Sequence, residues 1–316
     1  MNDIKSSLDM ILRIKENIGR VIVGKERIVD MILAALICSG HVLIEDVPGL
    51  GKTTLVSALA RSLKCSYRRI QFTPDVLPSD VTGYTVFNTR TGERDVIFGG
   101  VMAQVVLADE INRTSPKTQS SLLEVMQEAQ ITIDGVSYPV AQPFIVLATQ
   151  NPIEHVGTYP LPEAQLDRFL FKLSVGYPDK VEELDILKRN KGKKPLDAIE
   201  PVASAEDILR LRACHADIIC EDAVMDYIVS IAEATRRHSR ITLGVSPRGS
   251  LALMNAAMAR AMLQGRSYTL PDDVQAMAAP VLAHRLVLSL EAVQENDTAE
   301  DLIQLIIQSV KVTGVS

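Results

Sequence analysis

The chain has 316 residues, is 47% hydrophobic and carries a formal net charge of −6. This length allows a substantial buried core and suggests two domains, because a domain usually has about 100–200 residues. The acidic balance disfavours a dedicated nucleic-acid binder, which is more often basic. The sequence shows neither a signal peptide nor an apolar run near the ~20 residues of a membrane span, so we expect a cytoplasmic protein.

The first half of the chain alternates short apolar runs with helical patterns. Buried strands are predicted at His41–Glu45, Tyr67–Phe72, Gln104–Ala108, Phe144–Thr149 and Phe169–Val175. Helices are predicted at Lys52–Leu63 and Lys117–Gln127, the second with Ser115 as its N-cap and Pro116 at its first position. Strands that alternate with helices predict a parallel sheet with helices on both faces.

Two segments interrupt this alternation. Tyr84–Phe98 has alternating apolar residues on both sides of a turn at Thr91-Gly92. Ile131–Val140 contains Asp134-Gly135, a dipeptide typical of tight hairpin turns. We therefore predict two β-hairpins inserted into the α/β core.

Beyond residue 178 the pattern becomes helical. Helices are predicted at Lys180–Lys188, after the capping box Ser204–Asp207, at Glu221–His238, from Ser246-Pro247 to Gly265, and after Pro271. A basic segment with a proline, NKGKKP, separates the first two of these helices. We predict an α/β core over residues 1–178 and a small all-α lid over residues 179–316, with a linker around residues 190–203.

The segment DVPGLGKTT, residues 46–54, resembles the phosphate-binding pattern G-x-x-x-x-G-K-[ST], with Asp46 at the first glycine position. Backbone N–H groups of a glycine-rich turn and the helix that follows can bind phosphate. Lys52 would reach the β- and γ-phosphates and Thr53 would bind Mg²⁺. Asp46 is compatible with such a site, because a short polar side chain tolerates a turn and can bond local N–H groups. The predicted nucleotide-binding residues here are Val47, Pro48, Gly49, Leu50, Gly51, Lys52, Thr53 and Thr54.

Acidic and amide side chains follow two of the predicted strands. Asp109 and Glu110 follow the strand VVLA, and Asn151 follows FIVLAT. At the carboxyl edge of a parallel sheet, Asp109 would hold Mg²⁺ through water and Glu110 would orient the attacking water. Asn151 could bond that water or the γ-phosphate. Strands often end in acidic residues, and only the loop upstream makes a catalytic interpretation strong.

Two arginines are candidates for contacts with phosphate. Arg168, in EAQLDRF, has the forked and permanently charged group that an arginine finger needs; the alternative is a surface ion pair with Asp167 or Glu163. Arg248, in GVSPRG, lies in the first turn of a lid helix. From there it could touch the γ-phosphate and couple hydrolysis to rotation of the lid.

Together these motifs resemble those of the AAA+ ATPases. The segments LIEDVPGLGKT, LADEINRTSPKTQSSLLEVMQE and ATQNPIEHVGTYPLPEAQLDRF resemble the MoxR family in particular, over roughly residues 18–286. The resemblance implies an AAA+ P-loop core with a five-stranded parallel sheet, inserted hairpins and a helical lid. It also implies that Asp is common at the position of Asp46, and that Val23 and Gly24, within IVG at residues 22–24, line the adenine pocket.

The same resemblance implies an ATPase with ATP and Mg²⁺ that assembles into a ring, most often a hexamer. Arg168 would then act on the nucleotide of a neighbouring copy. The expected biology is chaperone-like remodelling or activation of a protein client, such as cofactor or metal insertion or complex assembly. The usual partner in that family carries a von Willebrand A domain. The motif D-x-S-x-S of such a domain is absent from this chain, so the partner would be a separate protein.

Three alternatives remain open at the level of sequence. A nucleic-acid motor of the same clade would need cationic pore tips, yet no Lys or Arg occurs between Lys117 and Arg168. The sequence separates a chelatase-type motor subunit only poorly from a remodelling ATPase. The intact motif residues disfavour a catalytically silent scaffold. The five histidines lack metal-ligand spacing, and only His155 could face a subunit interface. The four cysteines lack C-x-x-C spacing and are expected to be buried free thiols.

Overall fold

The computed structural model describes residues 2–312 apart from residues 48, 91, 153–156 and 193–194. Three residues named above, Pro48, Thr91 and His155, lie outside the described residues. Within the described part of the chain, no helix has the length and apolar character needed to cross a membrane. All four cysteines are free, and they are half-buried rather than fully buried.

Up to residue 178 the chain alternates helices and strands. In chain order these are α1 (Asn2–Gly19), α2 (Glu26–Ile37), β1 (Val42–Glu45), α3 (Lys52–Ser62), β2 (Tyr67–Gln71), α4 (Pro78–Thr82), β3 (Gly83–Phe87), β4 (Arg94–Phe98), β5 (Val105–Asp109), α5 (Pro116–Glu128), β6 (Gln130–Ile133), β7 (Val136–Pro139), β8 (Ile145–Gln150), α6 (Glu163–Leu166) and β9 (Phe171–Leu173). The five predicted strands and the two predicted helices are all present, and every end lies within two residues of the prediction.

Beyond residue 178 the structure is mainly helical. The elements are α7 (Lys180–Arg189), α8 (Ala205–Ala216), α9 (Asp222–Arg237), β10 (Ile241–Leu243), α10 (Pro247–Leu263), α11 (Pro271–Leu282), β11 (Val287–Leu288), α12 (Leu290–Gln294) and α13 (Ala299–Ser309). The predicted helical lid is confirmed, with one addition. β10 and β11 pair as a short antiparallel ribbon, which is too brief to leave an alternating pattern in the sequence.

The central sheet is parallel and has the strand order β2–β5–β8–β1–β9. The three central strands, β5, β8 and β1, are apolar on both faces, as is typical of a parallel sheet that is covered on both sides. Val105 and Leu107 of β5 belong to an apolar core shared with α1, α2 and α3, whereas Val106 and Ala108 belong to a second core shared with α5. The loops after β1, β5 and β8 therefore meet at one carboxyl edge of the sheet.

Both predicted hairpins are present, and they contact each other. β3 pairs with β4, and β6 pairs with β7 through a turn in which Asp134 and Gly135 have φ of 49° and 80°. This left-handed pair is the geometry of a two-residue hairpin turn. The Phe98 ring meets the Tyr138 ring edge-on at 5.3 Å, and the Thr85 hydroxyl donates to Asp134 at 2.6 Å. The two inserts therefore form one surface.

The N-terminal helices connect the sheet to the lid. The side-chain amide of Asn17 in α1 donates to the Ser62 hydroxyl at 2.9 Å, and Cys38, just after α2, contacts the carbonyl of Asn255 in α10 at 3.3 Å. The apolar core that includes α1 and α2 continues without interruption from the sheet into α8–α11 and α13. The domain boundary at residue 178 therefore stays a proposal based on the sequence. Contact with α2 also fixes where the first turn of α10 can lie.

Candidate active site

The glycine-rich loop is built as the sequence predicts. Gly49 and Gly51 have φ of 91° and 78°, a left-handed conformation that favours glycine, and Gly51 is the N-cap of α3. The Lys52 ammonium folds back over the loop and donates to the Asp46 carbonyl at 3.0 Å. Burial lowers the pKa of Lys52, and the nearby carboxylates, those of Asp46, Asp109 and Glu110, oppose this shift. The loop therefore presents a partly buried cation among carboxylates.

The Asp46 side chain turns away from the loop and binds the chain after β9. Its carboxylate accepts the Ser174 hydroxyl at 2.9 Å, the Gly176 N–H at 3.4 Å and the Val175 N–H. We expected Asp46 to bond local N–H groups, and that expectation is wrong, because its partners lie about 130 positions along the chain. An aspartate at this position ties two parts of the sheet edge together.

A polar cavity of about 380 Å³ opens at the carboxyl edge of the sheet. It is lined by Asp46, Gly49, Gly51, Lys52, Thr53, Thr54, Arg69, Gln71, Asp109, Glu110, Thr149, Gln150 and Asn151. The structure thus brings together the predicted loop residues, both predicted acidic residues and Asn151. The Thr53 hydroxyl and the Asp109 carboxylate are the oxygen ligands that Mg²⁺ prefers. No group of three or more His, Cys, Asp or Glu among the described residues could hold a metal alone, so a cation here would need phosphate and water ligands.

Glu110 has an unusual backbone conformation. Its φ and ψ are 59° and 48°, a left-handed conformation that costs a non-glycine residue about 1–3 kcal/mol. The Glu110 N–H donates to the Thr149 hydroxyl at 2.8 Å, and that hydroxyl donates to Asp109 at 2.6 Å. A buried threonine on β8 therefore fixes both acidic residues at the end of β5, and the strained turn directs Glu110 into the polar cavity.

Several residues of the polar site were missed by sequence reasoning, among them Thr149, Arg69, Gln71 and Arg113. Arg69 donates to the Asp109 carboxylate at 2.6 and 3.2 Å. The Gln71 amide and the Arg113 guanidinium donate to Glu110 at 2.9 and 3.0 Å. Arg69 and Gln71 are two positions apart on β2, so their side chains lie on the same face. β2 neighbours β5 in the sheet. Only the strand order identifies them as partners of the acidic residues, and the sequence alone does not give that order.

An apolar cavity of about 470 Å³ adjoins the loop. It is lined by Val21, Ile22, Val23, Lys25, Gly49, Leu50, Gly51, Thr54, Leu55, Val175, Gly176, Pro178, Ile186, Asn190, Pro195 and Leu196. Val23 and Leu50 are therefore placed as predicted, whereas Gly24 and Val47 do not line this cavity. A Cβ on Gly24 would lie 1.7 Å from the Glu182 carboxylate, so its role is to allow the close approach of α7. The cavity suits the flat apolar base of a nucleotide.

The apolar cavity is covered by residues that follow position 178. Ile186 and Asn190, from α7 and its end, and Pro195 and Leu196, from the linker, lie over the cavity. No described residue of α8–α13 lines either cavity. These four residues belong to the predicted lid over residues 179–316, so its first segment covers the cavity and its later helices do not. Those helices pack instead against α1 and α2, through the continuous apolar core.

The two candidate arginines lie together in a third place, which we call the arginine face. This cavity of about 240 Å³ is lined by Ser39, Gly40, His41, Met126, Gln127, Asp167, Arg168, Leu170, Arg248, Ala252 and Arg285. Arg168 donates to the Leu123 carbonyl at 2.7 Å rather than pairing with Asp167 or Glu163. Arg248 has a 53% exposed side chain and lies 3.7 Å from the Asp167 carboxylate.

The arginine face lies at the opposite edge of the sheet from the polar cavity. Ser39–His41 precede β1 and Leu170 precedes β9, so the face is at the amino ends of these strands. The loop follows the other end of β1, about 13 Å away at a rise of ~3.3 Å per residue. The structure therefore places Arg248 away from the polar cavity of its own chain. The contact of α10 with α2 holds its first turn beside the start of β1.

Comparisons with known proteins agree with this arrangement. The family model "ATPase family associated with various cellular activities" matches residues 41–171, and "AAA lid domain" matches residues 233–306. Chaperone MoxR1 of Mycobacterium tuberculosis is 43% identical over 95% of this chain and 81% of its own length. Uncharacterized protein YeaC of Bacillus subtilis is 53% identical over 94% of this chain and 93% of its own. A crystal structure of a Cytophaga hutchinsonii protein, 37% identical, superposes with a TM-score of 0.92 over 99% of this chain and 98% of that one.

Proposed function

Since the chain belongs to the MoxR family of AAA+ ATPases, we propose that it hydrolyses ATP in a ring in which each catalytic site is completed by a neighbouring copy. One observation carries this proposal. The polar cavity has the phosphate loop, the acidic pair and Asn151 at one edge of the sheet, whereas Arg168 and Arg248 lie together at the other edge. A second copy can bring those arginines to the cavity.

We propose that the nucleotide spans the two adjoining cavities. The base lies in the apolar cavity beside Val23 and Leu50, and the phosphates lie on the N–H groups at the start of α3. Thr53 and Asp109 would hold Mg²⁺, which supplies neutralisation of the charge on the phosphate oxygens. Arg69 already pairs with Asp109 at 2.6 Å, so this guanidinium must shift when Asp109 takes part in binding a cation.

The chain's own residues position the attacking water and stabilise the charge on the phosphates. Glu110 orients and polarises the attacking water, and Asn151 bonds to that water or to the γ-phosphate. Lys52 stabilises the β- and γ-phosphates, and Arg168 of a neighbouring copy stabilises the charge of the transition state. Phosphoryl transfer depends mainly on such positioning and electrostatics. Arg248, adjacent to Arg168, would approach the same phosphates from the same neighbour.

The separation of the two surfaces also favours a ring. A head-to-tail contact, in which one surface meets a different surface of the next copy, closes into a ring or continues as a filament. The family resemblance favours a closed hexamer. The client and partner are proposals of the same kind: a protein client that is remodelled or activated, with a separate von Willebrand A-domain protein.

The inserted hairpins favour a protein client over nucleic acid. Their exposed apolar and aromatic side chains are Tyr84, Val86, Phe87, Ile97, Phe98 and Val136. A nucleic-acid motor would need an excess of exposed cations at this position, whereas the exposed Arg90 and Arg94 of the first hairpin are accompanied by the exposed Glu93 and Asp95. We expect an ATP-loaded ring to retain an unfolded polypeptide and not single-stranded or duplex DNA in a filter-binding assay, and retention of DNA alone would reverse this assignment.

Two variants test the shared catalytic site. An acceptor variant, Arg168→Ala, keeps an intact cleft, and a donor variant, Lys52→Ala, keeps an intact arginine face. Each alone should lose turnover by about 10³-fold, in the range known for arginine fingers, while the acceptor still binds nucleotide. When equal amounts are mixed, about a quarter of the sites should pair an intact cleft with an intact arginine face, and steady-state phosphate release should recover accordingly.

The matched control is a mixture of variants that cannot form an active site. The donor variant mixed with the double variant Lys52→Ala/Arg168→Ala contains no intact cleft and should stay inactive. Full turnover by the acceptor variant alone, or no recovery in the acceptor–donor mixture, would contradict the shared site. Dilution below the assembly concentration should also abolish turnover by the unaltered chain, as measured by phosphate release alongside molecular mass.

A further inference from the structure

A buried arginine of the lid contacts the segment that carries Arg168. Arg285 ends a 3₁₀ turn after α11, and its side chain is only 4% exposed. Its Nε donates to the Asp167 carboxylate at 2.7 Å, and a terminal nitrogen donates to the Phe169 carbonyl at 2.8 Å. Weaker contacts reach the carbonyls of Asp167 and Leu170, both at 3.4 Å. One guanidinium thus binds the residues on both sides of Arg168.

The Asp167 carboxylate is shared between two arginines of the lid. Its Oδ1 accepts from Arg285, and its Oδ2 lies 3.7 Å from Nε of Arg248. Arg248 is exposed, whereas Arg285 is buried, so only Arg285 is rigidly held by the protein around it. The neighbouring His284 strengthens the same attachment, because its Nε2 lies 3.1 Å from the Phe169 carbonyl.

The first turn of α10 is built to lie against Arg285. A Cβ on Gly249 would lie 3.2 Å from Cδ of Arg285 and 2.7 Å from the Val245 side chain. Glycine next to Arg248 therefore permits a close approach of the helix to the Arg285 stem. Arg248 comes from a different part of the chain than Asp167 and Arg168, and Arg285 lines the same cavity as all three.

We propose that Arg285 is a positioning residue for the arginine face: through Asp167 it fixes Arg168 and Arg248 in the arrangement that a neighbouring copy's nucleotide requires. This inference rests on the proposed shared site. A buried arginine that binds a carboxylate and backbone carbonyls in fixed directions holds a segment more precisely than a flexible ammonium can. Because catalytic groups must be placed to well within 1 Å, loosening this attachment should slow turnover without affecting the chain's own cleft.

The acceptor–donor mixture tests this directly. Asp167→Asn is placed either in the donor variant, whose arginine face is used, or in the acceptor variant, whose arginine face lacks Arg168 and therefore completes no active site. We expect a loss of rescued turnover of about 10- to 100-fold in the first case and no change in the second. The KM for ATP should stay the same in both, because the intact clefts are unaltered.

A second substitution and a control complete the experiment. Arg285→Lys keeps the charge but cannot serve the carboxylate and the carbonyls together, so it should reproduce the same donor-only loss. Arg237→Gln, which breaks an exposed ion pair with Glu233 on α9, should leave the mixture unchanged in either chain. If Arg285→Lys fails to fold in a thermal melt, Asp167→Asn decides the question alone.

The outcomes separate this inference from the proposed function. Equal losses from Asp167→Asn in donor and acceptor would mean that the contact serves folding only, and no loss in either would mean that it does not position the arginines. Both results overturn the role of Arg285 and leave the shared site intact. Absence of rescue in the mixture without Asp167→Asn would instead overturn the shared site, and this inference with it.

Discussion

The polar cavity and the arginine face differ in how the chain builds them. Most of the polar cavity comes from residues that directly follow three strands of one sheet, so Lys52, Glu110 and Asn151 meet wherever that sheet forms. The arginine face is assembled from the start of β1, the end of α5, the segment before β9 and the first turn of α10. One region depends on the sheet alone, and the other depends on how the lid packs.

This difference has a consequence for catalysis. A chain whose helices α8–α13 are displaced would keep its nucleotide-binding residues and lose the arrangement of Arg168 and Arg248. The lid is attached through the continuous apolar core with α1 and α2 and through Arg285. Nucleotide binding should therefore be a property of each copy, whereas turnover should report the packing of the lid and the contact between copies.

The largest expected effect separates binding from turnover within the cleft. Glu110→Gln keeps the shape of the side chain and removes the charge that polarises water, so turnover should fall by about 10²–10⁴-fold, or roughly 3–5 kcal/mol in barrier height. Nucleotide affinity should change little, because Glu110 contacts Gln71 and Arg113 rather than the loop. Single-turnover phosphate release and equilibrium binding of a fluorescent ATP analogue measure the two quantities.

The control for this substitution is Glu128→Gln, at the exposed end of α5, which should leave both quantities unchanged. A Glu110→Gln chain that still turns over at half the normal rate would remove Glu110 from the mechanism. A chain that loses nucleotide binding as well would show that the strained turn at Glu110 serves the fold of the cavity, and the comparison between binding and turnover would then fail.

Acid should weaken the arginine face through a buried neutral histidine. The Val146 N–H donates to Nδ1 of His41 at 3.0 Å, and Nε2 donates to the Met126 carbonyl at 2.9 Å. Burial lowers the pKa of His41 from 6.5 to about 4; the Met126 carbonyl opposes this and Arg212 adds to it. Between pH ~6.5 and about pH 4, His41 is protonated in the unfolded chain and neutral in the folded chain.

The sign follows from this order of protonation. The His41 contribution to stability is complete above pH ~6.5 and is lost as the pH falls to about 4, a difference of ~3 kcal/mol. His41→Gln should lower stability near neutral pH, and its deficit relative to the unaltered chain should shrink by that amount between about pH 7 and about pH 4. Urea unfolding at each pH tests this, and a deficit that does not change with pH would refute the neutral state of His41.

Sequence reasoning was successful where function follows a strand. The motif residues of the polar cavity lie next to apolar runs that can only be buried strands, and parallel strands bring their carboxyl ends together. Leu50 and Asn151 lie in the cavities for this reason, whereas Val23, between α1 and α2, was expected there from the family resemblance. The capped helices were also found correctly, because Ser115 and Ser246 bond the N–H groups of Thr118 and Gly249.

Sequence reasoning failed where function depends on packing between distant elements. Arg248 was predicted to touch a γ-phosphate, but nothing in GVSPRG indicates that α10 packs on α2, away from the polar cavity of the same chain. Arg69 needed the strand order, since β2 and β5 are neighbours only in the folded sheet. Arg285 carries no motif at all, and only its burial against Asp167 reveals it. In each case the missing information was which surfaces meet, not which residues are reactive.

The smallest expected effect is at Asp46, which links the phosphate-binding loop to the chain that follows β9. Replacing it with glycine would restore the common phosphate-loop pattern but remove the acceptor for the N–H groups of Val175 and Gly176. A buried N–H left without a partner costs about 1–3 kcal/mol, so Asp46→Gly should destabilise the fold by that amount. Nucleotide affinity should also fall by about 10-fold, the equivalent of ~1.4 kcal/mol, since Val175 and Gly176 line the apolar cavity.

Ser174→Ala is the matched control, because it removes only the 2.9 Å bond from the Ser174 hydroxyl to Asp46 and should cost about half as much or less. Urea unfolding and binding of a fluorescent ATP analogue measure both variants. If Asp46→Gly bound nucleotide as tightly as the unaltered chain, the aspartate would be a tolerated substitution within the loop. If it binds more weakly although it matches the common pattern better, then the loop in this family depends on an anchor at the end of β9.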